Sequence, residues 1–320
     1  MFEPNIATEI REKIDAVFYP DRVVPAHTEY EHYYRDSEDN EVYPSVTTKT
    51  SLLSRKYYKQ MAADKAVEHI QTALINGVDD MGPIFDEARK RHITDLEQAG
   101  TWGTHGHDMV DGYVSDWIKN AERPDDIVPY SIEETSPEGV CSALGAMKFF
   151  DDYTLFPIVS EKKIISKKHR YGGTLDSLWL VGEVYKERTG ISHKHQVHVW
   201  ANKGVDHVKC MECGREEKLI LTLIDWKTSN MIFGRGSMGK YDYAMQVAAY
   251  NMALVEMTGI RPKKHWIVRL DKKKPSYEIG YITDIKRAGK AFIAMNTVSD
   301  FARSREEAVS PLIRKDRIIL

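Results

Sequence analysis

The stretch LTLIDWKTSN, Leu221–Asn230, decides how the chain is read. Four apolar or β-branched residues run into Asp225, and Lys227 follows two positions later. With the residues before it, from Lys218, this is the most apolar strand pattern in the sequence. Residues two apart in a strand leave the same face. Asp225 and Lys227 therefore share one face, and the Trp226 side chain takes the other. A carboxylate and an ammonium at the end of a buried strand cost free energy unless something pairs or uses them. Taken alone, the pattern is accounted for by a strand-end salt bridge.

Other residues change that balance. Asp176 lies in YGGTLDSLWLV, an acid inside an apolar strand expected to pair with the Asp225 strand. Two facing carboxylates repel by a few kcal/mol at intermediate dielectric, and a divalent cation turns that into attraction. Hard oxygen ligands suit Mg²⁺ or Mn²⁺. A lysine beside such an ion can orient water and steady charge that builds on a phosphate. Glu161, in PIVSEKKIIS, adds a third acid on the preceding strand. His107 shares a helical face with Val110, Val114 and Trp117, which equally fits a packed, hydrogen-bonded histidine. Gln246 and Tyr250 stand four apart on one helical stripe after the D-x-K strand.

Around this centre the expected order is helix, three strands, helix, strand, strand, helix: an α/β fold with a mixed sheet and packed helices. Upstream, TEYEHYYRDSEDNEVYPSVTT reads as a strand, an acidic turn (Asp36 to Asn40) and a strand ending at Pro44. Two helical regions follow, the first ended by Gly77; in the second, Gly103 is expected to interrupt or kink the helix. The division drawn is an N-terminal strand and helix region, 1–85, packing on a core, 86–320. A polar, histidine-rich insertion at 191–217 separates two neighbouring strands.

A net charge of −3 gives no overall basic signature, which counts only weakly against a local nucleic-acid groove. Three cysteines in 320 residues do not make a disulfide scaffold, so a reducing compartment is expected. The N-terminus resembles neither a secretory signal nor a transit peptide, and no apolar run approaches a membrane span. The expected setting is cytoplasmic, bacterial or of a phage host, and not secreted.

The ordered set G-T-x-x-H (Gly103–His107), Glu161, G-G-T-L-D (to Asp176), I-D-W-K-T-S (Ile224–Ser229) and Q-x-x-x-Y (Gln246–Tyr250) resembles the RecB-type branch of the PD-(D/E)xK nuclease superfamily. It is most similar to the group of the mitochondrial genome maintenance exonuclease and its phage relatives, which YPSVTT also resembles. The resemblance covers roughly residues 43–55 and 100–255. It implies a restriction-endonuclease-like core, a mixed sheet flanked by helices, and metal-dependent exonuclease cleavage of DNA, single-stranded ends preferred, in replication, recombination or repair. It further implies that His107, Asp176, Asp225 and the backbone carbonyl of Trp226 ligate the metal. Lys227 would be the catalytic lysine, Glu161 would assist, and Gln246 and Tyr250 would contact DNA. Iron–sulfur members of the branch need three cysteines near the C-terminus; none follows Cys213 here, so no such cluster is expected. A non-catalytic DNA-binding adaptor and a structure-specific endonuclease are the alternatives.

In the insertion, Cys210 and Cys213 form C-x-x-C followed by glycine, half of a zinc knuckle. His193, His195, His198 and His207 are candidates for the other half. The H-x-x-H spacing selects His195 and His198; solvated histidines and reduced thiols on a surface hairpin are the plain alternative. A zinc hairpin there could guide DNA or dock a replication or recombination protein. Five basic residues from Lys162 to Arg170, among them Lys168, surround the strand before Asp176, and Tyr57 and Tyr58 interleave with Arg55 and Lys56. Charge with stacking rings suits a single strand, although solvated strand ends and an amphipathic helix explain each residue singly. The lysines of DKKKPS (Asp271–Ser276) read as a charged hairpin turn.

Overall fold

A computed structural model describes residues 3–18, 22–27, 32–78, 80–124, 136–186, 200–203, 205–229 and 239–316. The elements are α1 (Asn5–Asp15), β1 (Val23–His27), β2 (His32–Asp36), β3 (Val42–Pro44), α2 (Val46–Ile75), α3 (Met81–Asn120), α4 (Pro137–Asp152), β4 (Leu155–Ser166) and β5 (Tyr171–Lys186). They continue with β6 (Trp200–Asn202), β7 (His207–Cys210), β8 (Glu216–Thr228), α5 (Gly239–Thr258), β9 (Lys264–Leu270), β10 (Tyr277–Tyr281) and α6 (Ile285–Asp316). The architecture is mixed α/β with a curled, mainly antiparallel sheet. Among the described residues, no helix is long and apolar enough to cross a membrane.

The main sheet runs β10-β9-β8-β5-β4. β8 is its pivot, antiparallel to β5 on one side and parallel to β9 on the other. The parallel step needs a crossover, and α5 supplies it. The β6–β7 hairpin of the insertion joins the sheet through β7, beside the first residues of β8, while β5 and β8 stay paired as far as Lys186 and Glu216. The inserted residues thus extend one end of the sheet without breaking its centre.

Alternation along β5 and β8 divides the core in two. Leu178, Leu180 and Leu223 face one way, onto α5 residues Val247, Tyr250 and Leu254 and onto Phe292 of α6. Trp179, Val181, Ile224 and Trp226 face the other way, onto Val110, Val114 and Trp117 of α3 and Phe149 and Phe150 of α4. Asp176 and Asp225 keep step with the first set and Trp226 with the second, as the strand period requires.

The acidic turn after β2 and the strand ending at Pro44 lie where the sequence places them. Ser45 then caps α2, accepting from the Thr48 amide at 3.0 Å, and its backbone bridges to Gly172. That bridge ties YPSVTT to the strand carrying Asp176. One expectation fails: α3 runs through Gly103 without interruption. A Cβ on Gly103 would stand 3.0 Å from Thr228 Oγ1, so this glycine answers a close approach to the end of β8. Packing of the long helix outweighs the local cost of glycine, roughly 1 kcal/mol.

Candidate active site

The strand registers align three acids. Ser177 pairs with Ile224, and Asp176 and Asp225 are the next step of the same ladder. Glu161 lies between the pairs Ser160–Ser177 and Lys162–Leu175, opposite Asp176, with φ of 46°. This left-handed residue interrupts the ladder and re-aims its side chain, a conformation costing on the order of 1–3 kcal/mol that favours functional sites.

Asp225 is fully buried, and its Oδ2 lies 2.7 Å from Lys227 Nζ. The contact is a charge pair; neither Asp225 oxygen receives a well-aligned hydrogen bond. Asp176 Oδ2 accepts from the Trp226 amide at 2.8 Å. Trp226 points its ring into the opposite core, where its indole N–H donates to Ser177 Oγ at 2.9 Å. The backbone of Trp226 also holds the ring of His107 by a hydrogen bond. Burial, then the charge of Lys227, pushes His107 down to about 4, leaving a neutral imidazole at pH 7.

Burial raises Asp225 to about 7; Lys227 opposes the shift and Asp176 reinforces it. Asp176 is raised as well, by burial, against the pull of Lys227. Glu161 stands on the cleft wall with part of its side chain open to solvent. Loss of water around its carboxyl, then Asp176, Asp111 and Asp108, lifts it to about 8. Burial alone would lower Lys227, but Asp225 and Asp176 outweigh it and keep the amine above its ordinary value. Lys227 is therefore a fixed cation, with Nζ also 5.4 Å from the centre of the Tyr243 ring.

These groups open into a cleft of about 630 Å³ lined by Thr104, His107, Asp108, Asp111, Glu161, Lys227, Thr228 and Lys272, with Gly103 at its edge. Gln246 Nε2 donates to the Tyr250 hydroxyl at 2.7 Å, and that phenol feels both Asp176 and Asp225. Its ring fits because Gly173 lacks a side chain: a Cβ there would stand 2.5 Å from Tyr250 Cε1. The core set His107, Glu161, Asp176, Asp225, Trp226, Lys227, Gln246 and Tyr250 is thus brought together. His105 faces α4 instead, with a Cβ on Gly139 placed 3.1 Å from its own.

Other expected residues lie apart. Arg170 pairs with Glu41 at 3.2 Å and covers Tyr43, and Lys168 lines a different cleft. The side chains of Tyr57 and Tyr58, together with His195 and His198, lie outside the described residues. Cys210 and Cys213 are buried, reduced and adjacent, at the turn from β7 to β8. His207 is engaged with Asp206 through Nδ1, at 2.8 Å.

Four residues of the site escaped the sequence reading. Asp108 and Asp111 flank His107 on α3, where the i to i+4 spacing of His107 and Asp111 was an available signal. Tyr34 of β2 packs over Gly172 and meets Thr174 Oγ1 at 2.9 Å, and Glu161 and Asp176 both act on its phenol. Lys272 corrects the reading of DKKKPS as a charged turn. It is only 8% exposed and lines the cleft, while Lys273 and Lys274 remain in solvent.

Among the described residues, no group of three or more His, Cys, Asp or Glu side chains is arranged to hold a metal ion. The oxygens that would do so are turned to the Lys227 ammonium and the Trp226 amide. Compared with known protein families the chain matches no family model, and compared with curated proteins it matches none.

Proposed function

We propose that the chain is a Mg²⁺- or Mn²⁺-dependent deoxyribonuclease of the RecB-type PD-(D/E)xK kind, an exonuclease acting on single-stranded DNA ends. The observation that carries the proposal is the row Glu161, Asp176, Asp225 across three adjacent strands, ending on a half-buried lysine that lines the cleft. Two fully buried Asp225 oxygens without aligned donors are a donor set that fits a hard cation. Asp176, Asp225, neutral His107 and the Trp226 carbonyl would hold it. When bound, the ion supplies Lewis acidity and a water of lowered pKa.

The chain's own groups do the remaining work. Lys227, kept protonated by Asp225 and Asp176, places a fixed positive charge where a phosphate gains charge in the transition state. Gln246 and Tyr250, joined by a hydrogen bond beside the acids, would contact DNA, and Lys272 lines the cleft. Glu161, raised toward neutral pH, is able to exchange a proton with water at the cleft mouth. For the insertion, we propose a structural Zn²⁺ held by Cys210 and Cys213 with His195 and His198, on a hairpin that guides DNA or docks a replication or recombination protein.

End-labelled single-stranded DNA incubated with Mg²⁺ or Mn²⁺ is expected to release nucleotides, and EDTA to stop the release. Circular single strands should survive; their cleavage would replace the exonuclease reading with an endonuclease. The lack of a three-ligand group among the described residues favours one further reading, a non-catalytic DNA-binding platform. DNA binding without release in any metal would establish it.

Lys272→Ala is expected to lower kcat/KM on single-stranded DNA roughly tenfold to a hundredfold, the worth of one charge-assisted hydrogen bond. A fall in melting temperature with unchanged kcat/KM would make Lys272 merely structural.

A further inference from the structure

A second cleft, of about 820 Å³, lies between the last turns of α5, the turn into β9, the first turn of α6 and the β4–β5 turn. Met252 and Val255 contribute an apolar floor, and Lys168, Arg261, Lys263 and Lys286 stand around it. All four cations are exposed, and none has an ion-pair partner among the described residues. The one carboxylate lining the cleft, Glu256, is already occupied. It accepts from Ser166 Oγ at 2.6 Å and from the Lys168 amide at 3.0 Å. His265 adds no charge at pH 7: burial takes it down to about 4, and Nε2 meets Asn251 Oδ1 at 3.0 Å.

The walls are fixed before any ligand arrives. Asn296 of α6 donates to the His169 carbonyl at 2.8 Å, and the His169 amide donates to Ser166 Oγ at 3.1 Å. The β4–β5 turn is thereby pinned to both helices. Four cations against the one Glu256 carboxylate leave an excess of positive charge around one apolar floor, and a chain of anions relieves it. A single strand matches both features, with phosphates at the rim and sugars and bases over the floor. No Phe, Tyr or Trp lines the cleft among the described residues, so the grip falls mainly on the backbone and is largely independent of sequence.

We infer that this cleft holds a single-stranded nucleic-acid segment away from the catalytic centre, a second contact that lengthens the bound stretch. The Lys263 amide donates to the Leu221 carbonyl at 2.8 Å, so the cleft meets β8 six residues before Lys227. That separation is roughly 20 Å of strand. The assignment rests on the nuclease reading for its substrate class and assigns Lys168 to this second site.

The test uses the full chain carrying Arg261→Glu and Lys263→Glu, both at exposed positions. Binding is measured on a Lys227→Ala background in EDTA, so no cleavage is needed. Affinity for a long single strand is expected to fall at least tenfold, and the slope of log affinity against log salt to shrink by about 1.4, two phosphate contacts at ~0.7 each. Affinity for a trinucleotide, too short to reach both sites, serves as the internal reference. Unchanged long-strand affinity and salt slope would overturn the inference, as would equal competition by polyglutamate. Absence of cleavage by the unaltered chain would count against the nuclease reading and leave the binding result standing.

Discussion

Lys227→Ala is expected to lower the proposed hydrolysis of single-stranded DNA by about 10²–10³-fold, the usual loss when one preorganised charge stabiliser is removed. Asp225→Asn is expected to do at least as much, because it would also change the carboxylate proposed to hold the metal. The two changes should differ in stability. Lys227→Ala leaves the fully buried Asp225 carboxylate without its cation, and breaking a buried pair from one side costs about 3–5 kcal/mol unless the acid takes up a proton. Asp225→Asn removes the buried negative charge itself. The double variant Lys227→Ala/Asp225→Asn should therefore recover the stability lost by Lys227→Ala while staying inactive. Denaturant titration beside nucleotide release reads both quantities. Near-normal cleavage by either single variant would end the assignment of this pair to catalysis.

The second large effect is expected at Phe150, in the core layer on the face of the sheet opposite the acids. Its ring stacks on Tyr113 with centroids 5.3 Å apart and planes 7° apart. It also meets Trp117, Trp179, Trp226 and Phe149 within 6.1 Å. Phe150→Ala should cost about 3–5 kcal/mol, because so many rings cannot collapse into the space left. For a chain of 320 residues that corresponds to a melting temperature lower by roughly 4–8 °C. Trp226 lies between this cluster and the site: its ring packs on Phe150 while its backbone touches Asp176 and His107. Activity should therefore fade below the temperature of global unfolding. A stability loss under about 1 kcal/mol would show that the cluster is not the keystone of this layer.

The centre of the site was legible because β8 obeys a two-residue period. That alone put Asp225 with Lys227, and Trp226 behind them, before any coordinates. The pairing of β5 with β8 followed from their adjacent apolar runs. Helix α4 was passed over because small residues dominate its first half, although Ser136 caps the Gly139 amide at 3.1 Å in an ordinary start. Lys272 was hidden for another reason. Three successive lysines look alike in sequence, and only the approach of α3 to Thr228 at Gly103 selects the one that is covered. Within the basic run from Lys162 to Arg170, Lys167 and Arg170 are the opposite case. Acids that neutralise Lys167 and Arg170 come from the β2–β3 turn, about 130 residues upstream by the spacing of Lys167 and Asp39.

The cleft is closed by parts made at different times. Its lining acids lie on α3 and β4, Asp176 of β5 and Asp225 of β8 belong to the row beside them, and Lys272 lies on the turn between β9 and β10. Because β8 and β9 run parallel, they cannot meet until α5 has crossed between them. On the ribosome, where a chain appears N-terminus first, the acidic row is complete some fifty residues before Lys272 emerges, by the interval from Asp225. At that stage the acids have Lys227 as their neighbouring cation, and Lys272 is still to be added. The order of the strands therefore makes the β9–β10 rim the last part of the cleft to be assembled.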